Sequence, residues 1–592
     1  MRVADYIFET LVREGVRRPF VVTGRGALFL DDAIAKHPDL DPCFVHHEQS
    51  AAFAATAVSE AGGELGCAVV STGCASTNTL TGVLSAWQDG IPVIFISGQN
   101  TLNETTRHTG IPLRSYGQQE ADIVELVAPI TKYAVMISDP STVRHELEKA
   151  LSLAREGRRG PVWIDVPLDV QNMRVDPDTL EGYEASHALP VAEPDVVERL
   201  AAQLSTAKRP VVLIGSGVKH AGAASAFAEF VERHQLPVAF TASACDVYGA
   251  KHPLSIGSFS SMGASRAGAF AVQNADLVLV LGSRLNSMTT GPDFCKFARH
   301  ARVVVVDIDA VEHTKEGIRI DEFIQADVGD LLDRLGACTI NIECAEWVQK
   351  CQHWKTTLKS THMSPSDDER VDMYELADAL TAALPPDAVF VCDSGFADVI
   401  LPTNIDFGDQ QRCVHPVSQG AMGFALPAAM GIGLTSGRPT VAVIGDGSIM
   451  MNLQEFQTLS DYGGNTKIFV VNNNVYAIIR RRQKELFRRR TTGTDASNGV
   501  KCPEFEKVAA CFGLTYRRIE RAEGLAEAVA SVLAEEGPVL CEIMGLETQQ
   551  YVEVGYARNS EKKFVRRPLE DQWPFLDREL FASEMIVEPI DQ

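Results

Sequence analysis

Nowhere in its 592 residues does this chain hold an apolar run long enough to cross a bilayer, which removes membrane-spanning helices from the expected architecture. Positive charge is scarce as well. The 54 Lys and Arg stand against 78 Asp and Glu, a formal net charge of −24, which argues against nucleic acid or an anionic membrane as partner. The thirteen cysteines include no C-x-x-C pair. Their closest group, Cys338, Cys344 and Cys351, lacks the spacing of a zinc site, so reduced thiols in a cytoplasmic protein are expected. No secretory leader is read at the start: residues 1–13 suit an amphipathic helix carrying Arg2, Asp5 and Glu9. No internal repeat is evident. What the chain does have is ordinary apolar content, strand-like runs alternating with helical ones, and a length that fits three or four α/β domains.

Two short polar clusters follow apolar runs. Gly445-Asp446-Gly447-Ser448 comes after Val441–Ile444, and Asn472-Asn473-Asn474 comes after Ile468–Val471. Two strand ends joined by a helical crossover over 451–462 would bring a carboxylate and an amide carbonyl together, a ligand set suited to a hard cation such as Mg²⁺. Gly447 and Ser448 stand where a helix is expected to begin, so their backbone N–H groups can cradle a diphosphate. Near the N-terminus, Phe44 and Val45 lead into His46-His47-Glu48-Gln49-Ser50-Ala51-Ala52. By itself Glu48 suits a helix N-terminal charge equally well. In an apolar strand-to-helix corner its carboxyl would be raised by desolvation.

Together these motifs resemble the signature of thiamine diphosphate (ThDP) enzymes. Further matches are Val22-Thr23-Gly24-Arg25-Gly26-Ala27, Ser71-Thr72-Gly73 with Asn78, Ile91–Gln99, Gln119-Glu120-Ala121-Asp122, Gly160–Pro167 and Gly420–Pro427. With them, nearly the whole chain is similar to the acetolactate synthase-like branch, whose superfamily also holds pyruvate oxidase and benzoylformate decarboxylase. The resemblance implies three doubly wound parallel-sheet α/β domains: a pyrimidine-binding domain over 1–174, a Rossmann-like middle domain over 195–336, and a diphosphate domain over 371–550. A polar linker covers 175–194, a helical, charged connection 337–367, and a tail 551–592 is expected to pack across the surface toward the active site. Strands of the middle domain are expected at 211–214, 277–281 and 303–307.

The resemblance also assigns roles. Glu48 would activate the cofactor beside N1′ of its aminopyrimidine. Asp446, the Asn473 side chain and the Val475 carbonyl would hold Mg²⁺. Met422 would prop ThDP into its bent shape, and Gly24, Ser394, Gly395, Gly445, Gly447, Ser448 and Asn473 would contact it. In this superfamily the cofactor lies between the first domain of one subunit and the last of another, implying a homodimer or homotetramer with the active site at the interface. FAD is a further cofactor expectation for the middle domain, where Gly215-Ser216-Gly217, Arg284, Thr289-Thr290-Gly291, Asp307-Ile308-Asp309 and Ala326-Asp327 fall. Position 220 is His where a dinucleotide fingerprint has Gly.

The implied reaction is loss of CO₂ from a 2-oxo acid, pyruvate above all, and transfer of the acyl unit to a second carbonyl compound. Departures from acetolactate synthases lie in the substrate region. Gln118 stands where they have Phe, and Arg482 where they have Trp, within a basic run of Arg480, Arg481 and Arg482 that continues at 488–490. A guanidinium there favours an anionic or hydroxylated acceptor, while a solvated helix face accounts for Arg482 equally well and for Arg488–Arg490 better. Acetyl transfer to a keto-sugar nucleotide, simple decarboxylation and hydrolysis of a cyclic diketone stay open as alternatives, while the presence of Glu48, Asp446 and Asn473 disfavours a fold kept as a non-enzymatic subunit.

Overall fold

The computed structural model describes residues 1–62, 65–185, 188–359 and 368–590, which fold into three α/β domains, each built on a six-stranded parallel sheet. The first sheet holds β1 (Phe20–Val21), β2 (Cys43–Phe44), β3 (Gly66–Val70), β4 (Val93–Gln99), β5 (Tyr133–Met136) and β6 (Val162–Pro167), in the order β2-β1-β3-β4-β6-β5. The second holds β7 (Pro210–Ile214), β8 (Val238–Phe240), β9 (Ser255–Ser258), β10 (Leu277–Leu281), β11 (Arg302–Asp307) and β12 (Glu322–Gln325), in the order β12-β11-β10-β7-β8-β9. That is the order of a Rossmann sheet, with its switch point between β7 and β10. The third holds β13 (Val389–Cys392), β14 (Arg412–Val414), β15 (Thr440–Gly445), β16 (Thr466–Asn472), β17 (Thr515–Ile519) and β18 (Val539–Met544), in the order β14-β13-β15-β16-β18-β17. The first and third sheets therefore share one strand order. The runs that build central strands, such as Leu277–Leu281, are buried throughout because helices cover both faces of a parallel sheet.

Small residues set how the outer domains meet. The Ala-rich helix Glu48–Gly62 packs against the helix Ala425–Ser436, and a Cβ added at Gly431 would come within 2.8 Å of the Ala54 Cβ. Side chains this short let two backbones approach closely, so the first and third domains share one apolar core. No helix among the described residues is long and apolar enough to cross a membrane.

Two expectations shift. The crossover helix begins at Glu455, not at 451, and only a single 3₁₀ turn (Ile449–Met451) follows Ser448. Asn452 interrupts the helix because its fully buried side chain is committed elsewhere: Nδ2 donates to the Gly423 carbonyl (3.0 Å) and Oδ1 accepts from Ser50 Oγ (3.0 Å). The tail is more ordered than its weak periodicity suggests. A hairpin of β19 (Tyr556–Arg558) and β20 (Phe564–Arg566) precedes Leu569, and the helix Arg578–Glu584 plants Phe581 in the middle domain beside Phe270 and Trp354. In the connection after the middle domain, the helix Ala345–Thr357 buries Trp347, Cys351 and Trp354 in the same core; its remainder, 360–367, lies outside the described residues.

Candidate active site

Register brings the two polar clusters side by side. β15 pairs with β16 so that Gly445 faces Val471, and Asp446 and Asn473 leave the sheet together at its C-terminal edge. Asp446 is 2% exposed and accepts the N–H groups of Gly447 (2.7 Å) and Asn474 (2.7 Å). Burial pushes its carboxyl up to about 6 despite these bonds. Asn474 takes a left-handed conformation (φ +59°), one Asn tolerates, and the Asn473 Oδ1 accepts from the Val475 N–H (3.2 Å). Gly447 is required by contact: a Cβ there would meet the Tyr476 ring at 1.9 Å.

Around these strand ends opens a cavity of about 250 Å³. Of the residues singled out from sequence, Ser394, Gly395, Met422, Gly445, Asp446, Gly447, Ser448, Asn473 and Val475 all line it. Its remaining wall is largely apolar, with Phe396, Ile478, Ile479 and Leu546. One organising residue went unnoticed in the sequence. Asp393, fully buried at the end of β13, accepts from Ser394 N (2.7 Å), Gly423 N (3.2 Å), Ala425 N (2.9 Å) and the Ser448 hydroxyl. Burial raises its carboxyl to about 6, against the pull of those four donors. It ties the Met422 loop to the Gly447-Ser448 turn. A lone carboxylate between an apolar strand and Ser-Gly was the available signal.

Glu48, Gly24 and Gln118 stand apart from this cavity, on the first domain. Glu48 opens its helix, is half-buried, and accepts from Asn78 Nδ2 (2.9 Å). Within one chain its surroundings are thus polar and partly open, not the apolar corner expected, because Phe44 and His46 beside it are exposed. Gly24 follows β1 in extended conformation, where a Cβ would strike Ser71 at 2.5 Å. Exposed Gln118 accepts from Arg25 through Oε1 and from Asn100 Nδ2 (3.0 Å) through its backbone carbonyl.

Comparison with known proteins decides the family. Profiles described as the N-terminal TPP binding domain, the central domain and the C-terminal TPP binding domain of thiamine pyrophosphate enzymes match residues 1–126, 197–335 and 393–543. An acetolactate synthase large subunit of Parasynechococcus marenigrum is 30% identical over 560 residues, 91% of this chain and 87% of that protein. That of Lactococcus lactis is 29% identical over 553 residues, covering 91% and 92%. Isozyme 1 of Escherichia coli is 28% identical over 545 residues, covering 91% and 93%. The chain belongs to the acetolactate synthase-like ThDP enzymes.

Within this ThDP enzyme, Arg480, Arg481 and Arg482, which follow the Asn cluster, each meet an acidic partner. Buried Arg480 meets Glu547 and, at 3.7 Å, Asp495. Arg481 lies over the rings of Trp573 (4.7 Å) and Tyr551 (5.1 Å), and both Arg481 and Arg482 donate to Glu553 of the tail. Arg482 also donates to Glu485 (3.0 Å) and lies outside the cavity wall, beyond Ile478 and Ile479. Arg488 and Arg489 have positive φ and leave the helix Ala477–Leu486, so they form a turn and not a helix face.

A second cavity of about 290 Å³ opens where the three domains meet. Ser216, Gly217, Arg284, Thr289, Asp307, Asp309, Ala326 and Asp327 line it, as does His220, whose ring burial pushes down to about 3 with help from Lys219. A Cβ at Gly217 would reach the Gly282 backbone at 2.5 Å, so this glycine serves the close crossing of two strand ends. Asp309 is bonded to Arg158 (3.0 Å). The cavity also contains the buried Gln88 Oε1, which has no hydrogen-bond partner among the described residues. At its far end burial lifts Glu60 to about 7, and His415 donates from Nδ1 to Asp398 (2.6 Å) and from Nε2 to the Ala242 carbonyl (3.1 Å).

Proposed function

We propose that the chain binds ThDP and Mg²⁺ in the 250 Å³ cavity, removes CO₂ from a 2-oxo acid, with pyruvate the leading donor, and joins the acyl unit to a second carbonyl compound. The carrying observation is the convergence of Asp446, Asn473 and Val475 on one cavity with the Gly447-Ser448 turn. The three oxygen donors suit Mg²⁺, and among the described residues the buried carboxylate is met by backbone N–H groups alone. Bound ThDP supplies the electron sink that makes loss of CO₂ from a 2-oxo acid feasible.

The protein's own share is positional. Asp446, the Asn473 side chain and the Val475 carbonyl hold the metal, while Ser448 and Gly447 face the diphosphate and Met422 supports the bend. Glu48 is the carboxyl set beside the ring it activates. Since Glu48 lies off the cavity in its own chain, it serves the cavity of a partner subunit, and the enzyme works as a homodimer or larger homo-oligomer. The apolar wall of Phe396, Ile478, Ile479 and Leu546 keeps water from the reacting carbons, which favours transfer to a carbonyl over release of an aldehyde. Arg482, held by Glu553 and Glu485, and Gln118, held by Arg25 and brought in across the subunit interface as Glu48 is, form the rim against which the acceptor is chosen.

FAD, in a structural role, is proposed for the second cavity: Asp307 and Arg284 offer groups for a ribose and a diphosphate, and Gln88 Oε1 awaits a donor. Flavin released on heating the purified protein tests that part.

The test of the main reading is CO₂ release from pyruvate by purified protein with ThDP and Mg²⁺, with products identified by mass spectrometry. CO₂ with acetolactate is expected. Tight ThDP binding without CO₂ release from pyruvate or other 2-oxo acids overturns the reading.

A further inference from the structure

We propose that Cys245, Cys413 and His415 form a binding site for a thiophilic divalent cation, zinc by its chemistry, across the interface of the middle and third domains. The two sulfurs and a ring nitrogen of His415 all lie within 4.8 Å of one another, and a second set of Cys392, Asp398 and His415 meets the same limit. Tetrahedral thiolates at a Zn–S distance of ~2.3 Å stand roughly 3.7 Å apart, so the ligands need close in by only about 1 Å.

The ligands are brought together from two well-separated parts of the chain. Cys245 follows the turn Ala242–Ala244 of the middle domain, Cys413 lies on β14, and His415 comes just after it. Cys392 shares the Cys413 face of the sheet, because Phe390 pairs with Cys413 and Cys392 is two residues on. All four side chains are at most 3% exposed.

Buried cysteines often act as small hydrophobes. That role does not explain the imidazole and carboxylate at the same point. Asp398 accepts from the Nδ1 of His415 at 2.6 Å, the contact by which a carboxylate orients a metal-binding histidine, and this leaves Nε2 as the ligand nitrogen. On binding, two S–metal bonds and one N–metal bond form. Each thiol loses its proton to solvent, Nε2 loses its own, and Nδ1–H stays on Asp398. The Ala242 carbonyl, freed from Nε2, faces the second cavity, where water reaches it. The cation's charge holds the thiolates deprotonated inside the protein.

Chelator-stripped full-length protein titrated with Co²⁺ alone tests the site. Expected are thiolate-to-cobalt charge-transfer absorption and tetrahedral ligand-field bands, saturating at one Co²⁺ per chain and bleached by added Zn²⁺. Both signals should be lost in Cys245→Ser and Cys413→Ser and kept in Asp446→Ala, which removes only the oxygen-ligand site. Cobalt uptake without a thiolate band in the wild-type protein overturns the proposal, as does a Cys245–Cys413 disulfide in unreduced protein. The wild-type titration is decisive even where a serine variant fails to fold.

Discussion

At the residue scale, the roles proposed for Glu48 and Asp446 predict that their substitutions should fail in different ways. Glu48→Gln should lower turnover by at least roughly 10²-fold, the usual reach of acid–base assistance, with circular dichroism and ThDP binding unchanged. Full turnover in that variant would remove Glu48 from the mechanism. Asp446→Ala should instead lose Mg²⁺-dependent retention of ThDP, read by equilibrium dialysis with and without chelator; equal retention counts against the metal site. Asp165, far from the cavity, tests the pH balance of the first domain. Burial lifts its carboxyl to about 7, although Ser97 and Gln99 donate to it. Between the unfolded value near 4 and about 7 the folded chain binds one more proton there than the unfolded chain, so this group's contribution to stability falls as pH rises through that window and is flat above it. Urea midpoints at pH 5 and pH 8 should therefore drop less in Asp165→Asn than in wild type. An identical drop would mean that Asp165 is ionised throughout. That Asp446, Asn473 and Val475 line one cavity was readable in the sequence, because they sit in or directly after two strand-end motifs. Asp393 was opaque because its donors come from positions 423, 425 and 448, and the state of Arg482 was opaque because Glu553 lies 71 residues away.

Among the elements, the sheets were legible and the tail was not. Valine- and leucine-rich runs ending in Gly or Asp mark parallel strands wherever they occur, and β7, β10 and β11 lie within a residue of their expected positions. The tail's helix has no such signal, since its apolar face is completed by residues of another domain. What fixes it is Glu584, which accepts from Lys350 Nζ (2.6 Å), His353 Nε2 (2.9 Å) and Trp354 Nε1 (2.8 Å). Burial pushes this carboxyl up, but those donors outweigh it and hold it at about 2. A depressed carboxyl stabilises above its unfolded pKa and stops doing so as pH falls through the folded one, so the tail should loosen between about pH 4.5 and 2. Glu584→Gln should loosen it already at pH 7, seen as faster amide exchange in 578–585. Unchanged exchange would show that Phe581 alone is the anchor.

For the whole molecule the decisive question is whether one active site takes residues from two chains. Inactive Glu48→Gln and Asp446→Ala subunits, unfolded together and refolded, should recover activity: a mixed dimer has one intact site and one doubly altered. Random pairing gives about a quarter of wild-type activity. No recovery, with mixed dimers present by native mass spectrometry, would place each site within a single chain.

The contact between the helices Glu48–Gly62 and Ala425–Ser436 also sets a clock for biosynthesis. About 360 residues separate the two helices. At roughly 5–20 residues per second the ribosome needs on the order of 20–70 s to deliver the second after the first. For that interval the nascent N-terminal domain presents an alanine-lined face with nothing to cover it. Among the described residues, that face is covered by the helix Ala425–Ser436 of the third domain, which repeats its strand order. Chaperone capture of ribosome-bound chains should therefore peak before residue 436 emerges and fall once it has.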